Sequence, residues 1–558
     1  MNTVPLRPPD QVMRLERLGA FHQTRLSFMR ALLRHLGAAG WRFDRPFWQI
    51  DGRGMGVALY RAVSPQRVYT LVCFGHDLDP ALRTDRVIAE AWDATFTLFD
   101  GEPSPADIER LSANVPKQEA GRYRASELVL LRANRSVRLF DQVVAALAAG
   151  RQPDAGEIAK VGYLMRTTAV YGNGKFGIAD RDRISGRPEF AGAFRAEMLA
   201  VWLVRLFCAD LVQEMARIKS PATAVALDRN LRRRLGIGNS TGLGLGPFVV
   251  NHPALFHRWI LARETALARV RGLDLSSAAT RERFIQLLAR ARAAISSWIT
   301  GDGRQAARLD DLTRDLQQLA ASVDTGLLEA PRPWDALYRW AEQSLSLEGQ
   351  ELLVSLMLEI HGDLVDDLAD SMAEDEEKCF AIDGGMTAGA LLDLLRHNYG
   401  WALGIDYRQP SANARFWYTS IEKLEPRLGL RFEEPGGDLE QPLAVAREVA
   451  ALAADLAQQD SHRTLAAFLL ERPDRRHTVR RVQLSAGHIY GEVRENLVGD
   501  GFVPVDLLRC KLAFFGAVRF DPKSDRWLRI NMYQDAPYPD ELGLADADDW
   551  LFPPCSAH

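Results

Sequence analysis

The chain has 558 residues, of which 47% are apolar and 25% charged, with 69 Lys+Arg against 73 Asp+Glu for a formal net charge of −4. These are ordinary globular values; the acidic balance excludes the broad basic footprint of a nucleic-acid binder, and the length exceeds the size at which a single core stops growing, so several domains are expected. Lysine occurs only eight times, so arginine carries most of the positive charge and is the cation to look for at any anion-binding site.

The first ten residues, Met-Asn-Thr-Val-Pro-Leu-Arg-Pro-Pro-Asp, lack the apolar core of a signal peptide. Residues 12–38 then carry apolar side chains at helical spacing and stop at glycine, which predicts a first helix. Over 41–74 the pattern becomes short apolar and aromatic runs, 47–50, 57–60 and 68–72, parted by Gly and Pro, which predicts a small antiparallel sheet. Helical periodicity returns at 125–149 and 154–165 and continues through 188–217, 253–271, 279–299, 304–323 and 347–370. The most apolar of these stretches, 198–212, is interrupted by Arg205 and Asp210 and is too short to span a bilayer. Residues 401–407 with 415–420, and 514–520 with 527–532, read as late hairpins.

The fold class expected from this pattern is α+β: a predominantly α-helical central region flanked by small antiparallel sheets. Tracts rich in Gly, Pro, Asp and Glu at 101–122, 324–333 and 431–441 are natural cuts. They give an α+β N-terminal domain over 1–122, a helical domain with Gly-rich loops over 123–330 and an α+β C-terminal domain over 331–558. Cys73, Cys208, Cys379, Cys510 and Cys555 are far apart, with no C-x-x-C pair, and read as reduced thiols of a cytoplasmic protein.

The most informative segment is 235–253, where Gly236, Gly238, Gly242, Gly244 and Gly246 surround Asn239, Ser240 and Thr241 and are followed by Asn251 and His252. Glycine costs backbone entropy, so such a run implies main chain that approaches something closely. The segment contains G-x-S-x-G around Ser240, but the basic turn 231–234 stands where a nucleophile elbow needs an apolar strand. A loop whose amides and Asn, Ser and Thr side chains cradle an anion is the better reading. Its rival is a helix crossing that packs backbone on backbone.

A second loop, Arg166 to Gly177, carries Tyr171, Asn173 and Lys175. It misses a phosphate loop because Ala169 replaces the first glycine and Phe176 the metal-binding hydroxyl. Arg166 and Lys175 suit a carboxylate or phosphate, and a desolvated Lys175 suits nucleophile or base chemistry. The acidic run 359–370, with Asp363, Asp366, Asp367 and Asp370 at helical spacing, offers a divalent-cation site or, more simply, a solvated face. His76 follows an apolar run, and His488 lies in a segment with Tyr490, Glu492 and Arg494; both are acid–base candidates.

The function expected is a cytoplasmic enzyme doing lyase or hydrolase acid–base chemistry on a small anionic metabolite. Arg166, Tyr171, Asn173, Asn239, Thr241 and Asn251 would bind it, and His252, Lys175, Ser240, His76 and His488 would do the chemistry. No metal is assigned to this site and the sequence names no cofactor; membrane and nucleic acid are not expected partners, and a homodimer is the expected assembly. The alternatives are a non-catalytic scaffold or ligand sensor whose glycines pack helices or subunits, and a metal-dependent enzyme using the run 359–370.

Overall fold

In a computed structural model, the structure describes residues 4–82, 91–113, 115, 124–167, 184, 186–241, 252–372, 380–409, 416–419, 426–429, 439–441, 445–494, 504–518, 521–524 and 527–553. Its strands are β1 (Arg42–Ile50), β2 (Gly56–Val63), β3 (Val68–Gly75), β4 (Ala94–Asp100), β5 (Glu127–Arg135), β6 (Tyr163–Thr167), β7 (Gly236–Thr241), β8 (Phe416–Thr419), β9 (Pro426–Gly429), β10 (Leu439–Gln441), β11 (Asp521–Ser524) and β12 (Trp527–Met532). The chain divides into two compact units, one made of 1–20, 242–511 and 522–527, the other of 21–241, 512–521 and 528–558.

The second unit is built on a curled half-barrel in which β1 to β7 and then β12 lie side by side in that order. Every neighbouring pair is antiparallel except β6 and β7, which run parallel. The long helix Arg195–Lys219 covers one face: Phe207 packs against Tyr60, Phe96 and Trp48, and the Tyr60 hydroxyl donates to Asp210 at 2.7 Å. Arg205, inside this apolar helix, is buried because its guanidinium donates to the Leu235, Arg233 and Ala536 carbonyls at 2.7, 2.9 and 2.9 Å. A charge so desolvated is tolerable only when its donors are met.

One large mixed sheet corrects the expectation of two small antiparallel sheets flanking a helical centre. The early sheet is the outer part of the half-barrel, and 527–532 returns to the same sheet as β12 beside β7. Four strands of the half-barrel are not expected from the sequence: β4, which lies beyond the 41–74 sheet, and β5, β6 and β7. The start of 125–149 is β5, whose run Leu128 to Leu131 is buried on both faces and so lacks the alternation that marks a strand. Within 154–165 the helix Ala155–Val161 stops at Gly162, which takes φ +77°, and β6 begins at once. The glycine-rich segment opens as β7.

The late hairpins also change: 401–407 begins in a short helix, Gly400–Leu403, and 514–520 in the end of another, Cys510–Phe515. β8 pairs instead with β9 and β10 in a separate three-stranded sheet.

The first unit is mainly helical, with Pro253–Arg271, Ala278–Ser296, Gly303–Asp324, Pro333–Ser344, Leu347–Glu359, Ala388–Asn398, Val445–Leu456 and Arg476–Ser485. Ser277, Asp302 and Ser346 cap three of these by accepting from backbone N–H groups three residues on. Arg7 bridges Glu264 and Glu351 at 2.7 Å each, Arg17 reaches Glu351 at 2.8 Å, and Arg263 lies 3.5 Å from it. Burial would raise the Glu351 carboxyl, yet Arg7, Arg263 and Arg17 together hold it down at about 2.

Candidate functional site

The two faces of the half-barrel differ chemically. Strand residues that sit opposite one another in register share a face, and alternate residues along a strand change face. On β12, Leu528, Ile530 and Met532 turn to the side of the Arg195–Lys219 helix and are buried there, whereas Arg529 and Asn531 turn to the other. β5 repeats this: Leu131 and Ala133 share the helix side, Arg132 and Asn134 the opposite one. Phe74, Val72 and Phe99 make that opposite face apolar near the helix Pro105–Ser112, where Leu111 joins them. Towards the ends of β3, β4 and β5 it becomes polar.

Along this polar stretch Asn134 pairs with Arg166, Arg166 with Gly238, and Gly238 with Asn531, one row across β5, β6, β7 and β12. Asn134 (2% exposed), Arg166 (4%) and Asn531 (0%) are all buried. An irregularity between Tyr163 and Arg166 puts Tyr163 opposite Gly236 and so on the same face. Its ring lies flat on β7, where a Cβ on Gly238 would come within 2.6 Å of it. Beyond the row, the Asp93 N–H donates to Asn134 Oδ1 at 3.1 Å and Asp93 Oδ2 accepts the Arg135 N–H at 3.0 Å. His76 continues it, its N–H donating to the Asp93 carbonyl at 2.8 Å and its Nε2 lying 3.3 Å from the Thr95 hydroxyl. Burial and, less strongly, Arg135 push the His76 imidazole down to about 4.

Among the described residues, the buried polar atoms of this face with no hydrogen-bond partner include these four: Asn134 Nδ2, Tyr163 Oη, Arg529 Nε and Asn531 Oδ1. Asn531 Nδ2, by contrast, donates to the Val161 carbonyl and to Gln534 Oε1, at 3.3 and 2.9 Å. A buried polar group left unmet costs about 1–3 kcal/mol. Four together approach the whole stability of a typical domain, about 5–15 kcal/mol, so such groups are normally met by water or a ligand. With neighbouring strands about 4.8 Å apart, the row from Asn134 to Asn531 spans about 14 Å.

Among the residues singled out in the sequence, His76 and Arg166 thus share one polar face, and Ser240 takes a register position on it opposite Arg529. Asn239 is buried on the helix side, its Nδ2 donating to the Thr167 carbonyl at 3.1 Å, and Thr241 pairs with Leu528. Gly236, whose Cβ would meet the Met532 carbonyl at 2.4 Å, and Gly238 are therefore packing glycines of a strand. Tyr171, Asn173, Lys175, Asn251 and the glycines at 242, 244 and 246 lie outside the described residues. Sequence reasoning missed Asn134, Tyr163, Arg529 and Asn531. An alternation of Leu528, Ile530 and Met532 with Arg529 and Asn531 was the available signal.

His252 and His488 belong to the other unit. His252 precedes the Pro253–Arg271 helix, and His488 lies 2.6 Å through Nδ1 from the Leu484 carbonyl with its ring edge-on to His257, centroids 5.0 Å apart. The Tyr490 N–H donates to His257 Nδ1 at 3.2 Å. In the run 359–370 the long helix ends at Glu359, and a four-residue helix and a 3-10 segment follow, so the four aspartates do not share one continuous helical face. Asp367 pairs with Arg269 at 2.8 Å, and among the described residues no group of His, Cys, Asp and Glu is arranged to hold a metal ion. Nor is any described helix long and apolar enough to cross a membrane.

Fold and site together define a half-barrel with one face covered by the Arg195–Lys219 helix and an arginine-bearing polar stretch on the other. No family model, curated protein or solved structure matches this chain.

Proposed function

We propose that the half-barrel unit is the substrate-binding body of an enzyme performing lyase or hydrolase acid–base chemistry on a small metabolite with a carboxylate or phosphate group. The observation that supports this reading is the set of buried, unmatched polar atoms on the face that also carries Arg132, Arg166 and Arg529. Asn134 Nδ2 and Arg529 Nε can only donate, Asn531 Oδ1 can only accept, and the Tyr163 hydroxyl can do either. That mixture suits an anion that also bears a hydroxyl. His76 is the proton-transfer group of this reading: its depressed value leaves it unprotonated at pH 7, and a bound negative charge brings it closer to the working range of a general base.

The test is calorimetric titration of the full chain with inorganic phosphate and with malate, in wild type and in Arg529→Gln. Arg529 is only partly buried, so the variant is expected to keep the wild-type melting temperature while losing at least about tenfold in affinity for whichever probe binds, as removal of a charge-assisted donor implies. Unchanged affinity in the variant, or no binding of either probe, removes the support for this site.

A further inference from the structure

The helical unit holds a cleft of its own, and we infer that it is a separate binding site for a single small oxyanion group, the phosphate or carboxylate end of a small molecule, held by Arg480, Arg481 and Thr478. The cleft opens between the helices Val445–Leu456 and Arg476–Ser485 beside Pro253, and has a volume of about 50 Å³. Since about 10–15 Å³ admits one water, that is room for three or four waters, enough for one phosphate group and too little for a nucleotide.

Its polar lining is Arg480, Arg481, His477, Thr478 and one acid, Glu448. Arg481 is fixed from behind: its Nε donates to Glu492 Oε1 at 2.8 Å, an oxygen that also accepts from the Tyr399 and Ser485 hydroxyls at 2.8 and 3.1 Å. A guanidinium oriented by a buried carboxylate holds a fixed geometry towards a ligand instead of sampling rotamers. Glu492 Oε2 is itself buried without a partner. Arg480 lies over the Phe380 ring at 5.8 Å, and Glu448 has Arg475 3.7 Å away. Both arginines sit in the second turn of the Arg476–Ser485 helix.

Charge substitution separates a site from incidental folding effects, because two variants are expected to move affinity in opposite directions. Full-length protein is titrated with inorganic phosphate by calorimetry at fixed ionic strength. Arg480→Gln should weaken binding and Glu448→Gln should tighten it, each by roughly tenfold, the effect of one unit charge beside a partly solvated ligand. Arg529→Gln should leave this binding event unaltered, which keeps it distinct from phosphate bound on the half-barrel. The assignment is overturned if wild type binds no phosphate, if the two cleft variants bind as wild type does, or if all phosphate binding disappears in Arg529→Gln.

Discussion

Gly238→Ala separates two reasons for a glycine-rich strand, ligand approach and packing. An ideal Cβ at position 238 lies 2.6 Å from Cγ and Cδ1 of Tyr163 and 2.7 Å from Cδ2. Carbon atoms rest at about 3.5–4.0 Å, so the ring has to withdraw by about 1 Å from a site where the residue is 1% exposed. Overpacking of that kind costs about 1–3 kcal/mol. In a domain of this size each kcal/mol lowers the melting temperature by about 2–4 °C, so the variant should melt roughly 2 to 12 °C below wild type by calorimetric scanning. Because the clash is with one ring, Gly238→Ala should cost much less in a Tyr163→Ala background, and the double-mutant cycle should give a coupling above about 0.5 kcal/mol. A Gly238→Ala protein that melts with wild type, or costs that simply add, would refute the packing argument and return the glycine to a ligand role.

His76 sets a second expectation. Its folded value, about 4, lies below the ordinary 6.5, so the stability tied to its neutral form is complete above about pH 6.5 and drains away as pH falls towards 4, by up to about 3 kcal/mol. His76→Asn should flatten that part of the stability–pH curve, and parallel curves for the two proteins would contradict the assignment. Glu351 works on a lower window: with its carboxyl held at about 2, Glu351→Gln should cost about 3–5 kcal/mol at pH 7 by leaving Arg7, Arg17 and Arg263 short of a counter-charge. That difference should shrink as acidification from about pH 4.5 to 2 protonates the wild-type carboxyl; denaturant unfolding of both proteins at pH 7 and pH 3 measures it.

How much of this was readable in the residues differs between helices and strands. Three helices of the first unit announce themselves, since Ser277, Asp302 and Ser346 cap periodic apolar runs and the observed helices begin there, whereas Pro333–Ser344, Ala388–Asn398, Val445–Leu456 and Arg476–Ser485 lie outside the expected helices. β5 and β6 do not, because Leu128 to Leu131 is buried on both faces and Tyr163 to Thr167 follows a helix with only Gly162 between them. Partnership across a sheet is a non-local fact. Nothing near 236–241 indicates that 163–167 will lie on one side and 527–532 on the other, so glycines needed for Tyr163 and for the Met532 carbonyl look, in isolation, like a loop prepared for a guest.

The same non-locality explains why the polar face escaped notice while His76, Arg166 and Ser240, which take positions on it, did not. Asn134, Arg166 and Asn531 are separated by 32 and then 365 positions in sequence and fall on one row only because β5 pairs with β6, β6 with β7 and β7 with β12. Each alone is a polar residue in an apolar strand, for which a satisfied core role is the ordinary expectation. Arginine in particular is expected to bury its charge only with partners, as Arg205 does through backbone carbonyls on the opposite side of this sheet. On the polar face, unmatched hydrogen-bonding capacity falls on side chains whose other atoms are already engaged: Asn134 Oδ1 is taken by Asp93 while its Nδ2 is not, and Asn531 Nδ2 is taken by Val161 and Gln534 while its Oδ1 is not. Anchoring one end of an amide and leaving the other unmet fixes its direction before a ligand arrives, which is the preorganisation that makes a polar contact strong in binding.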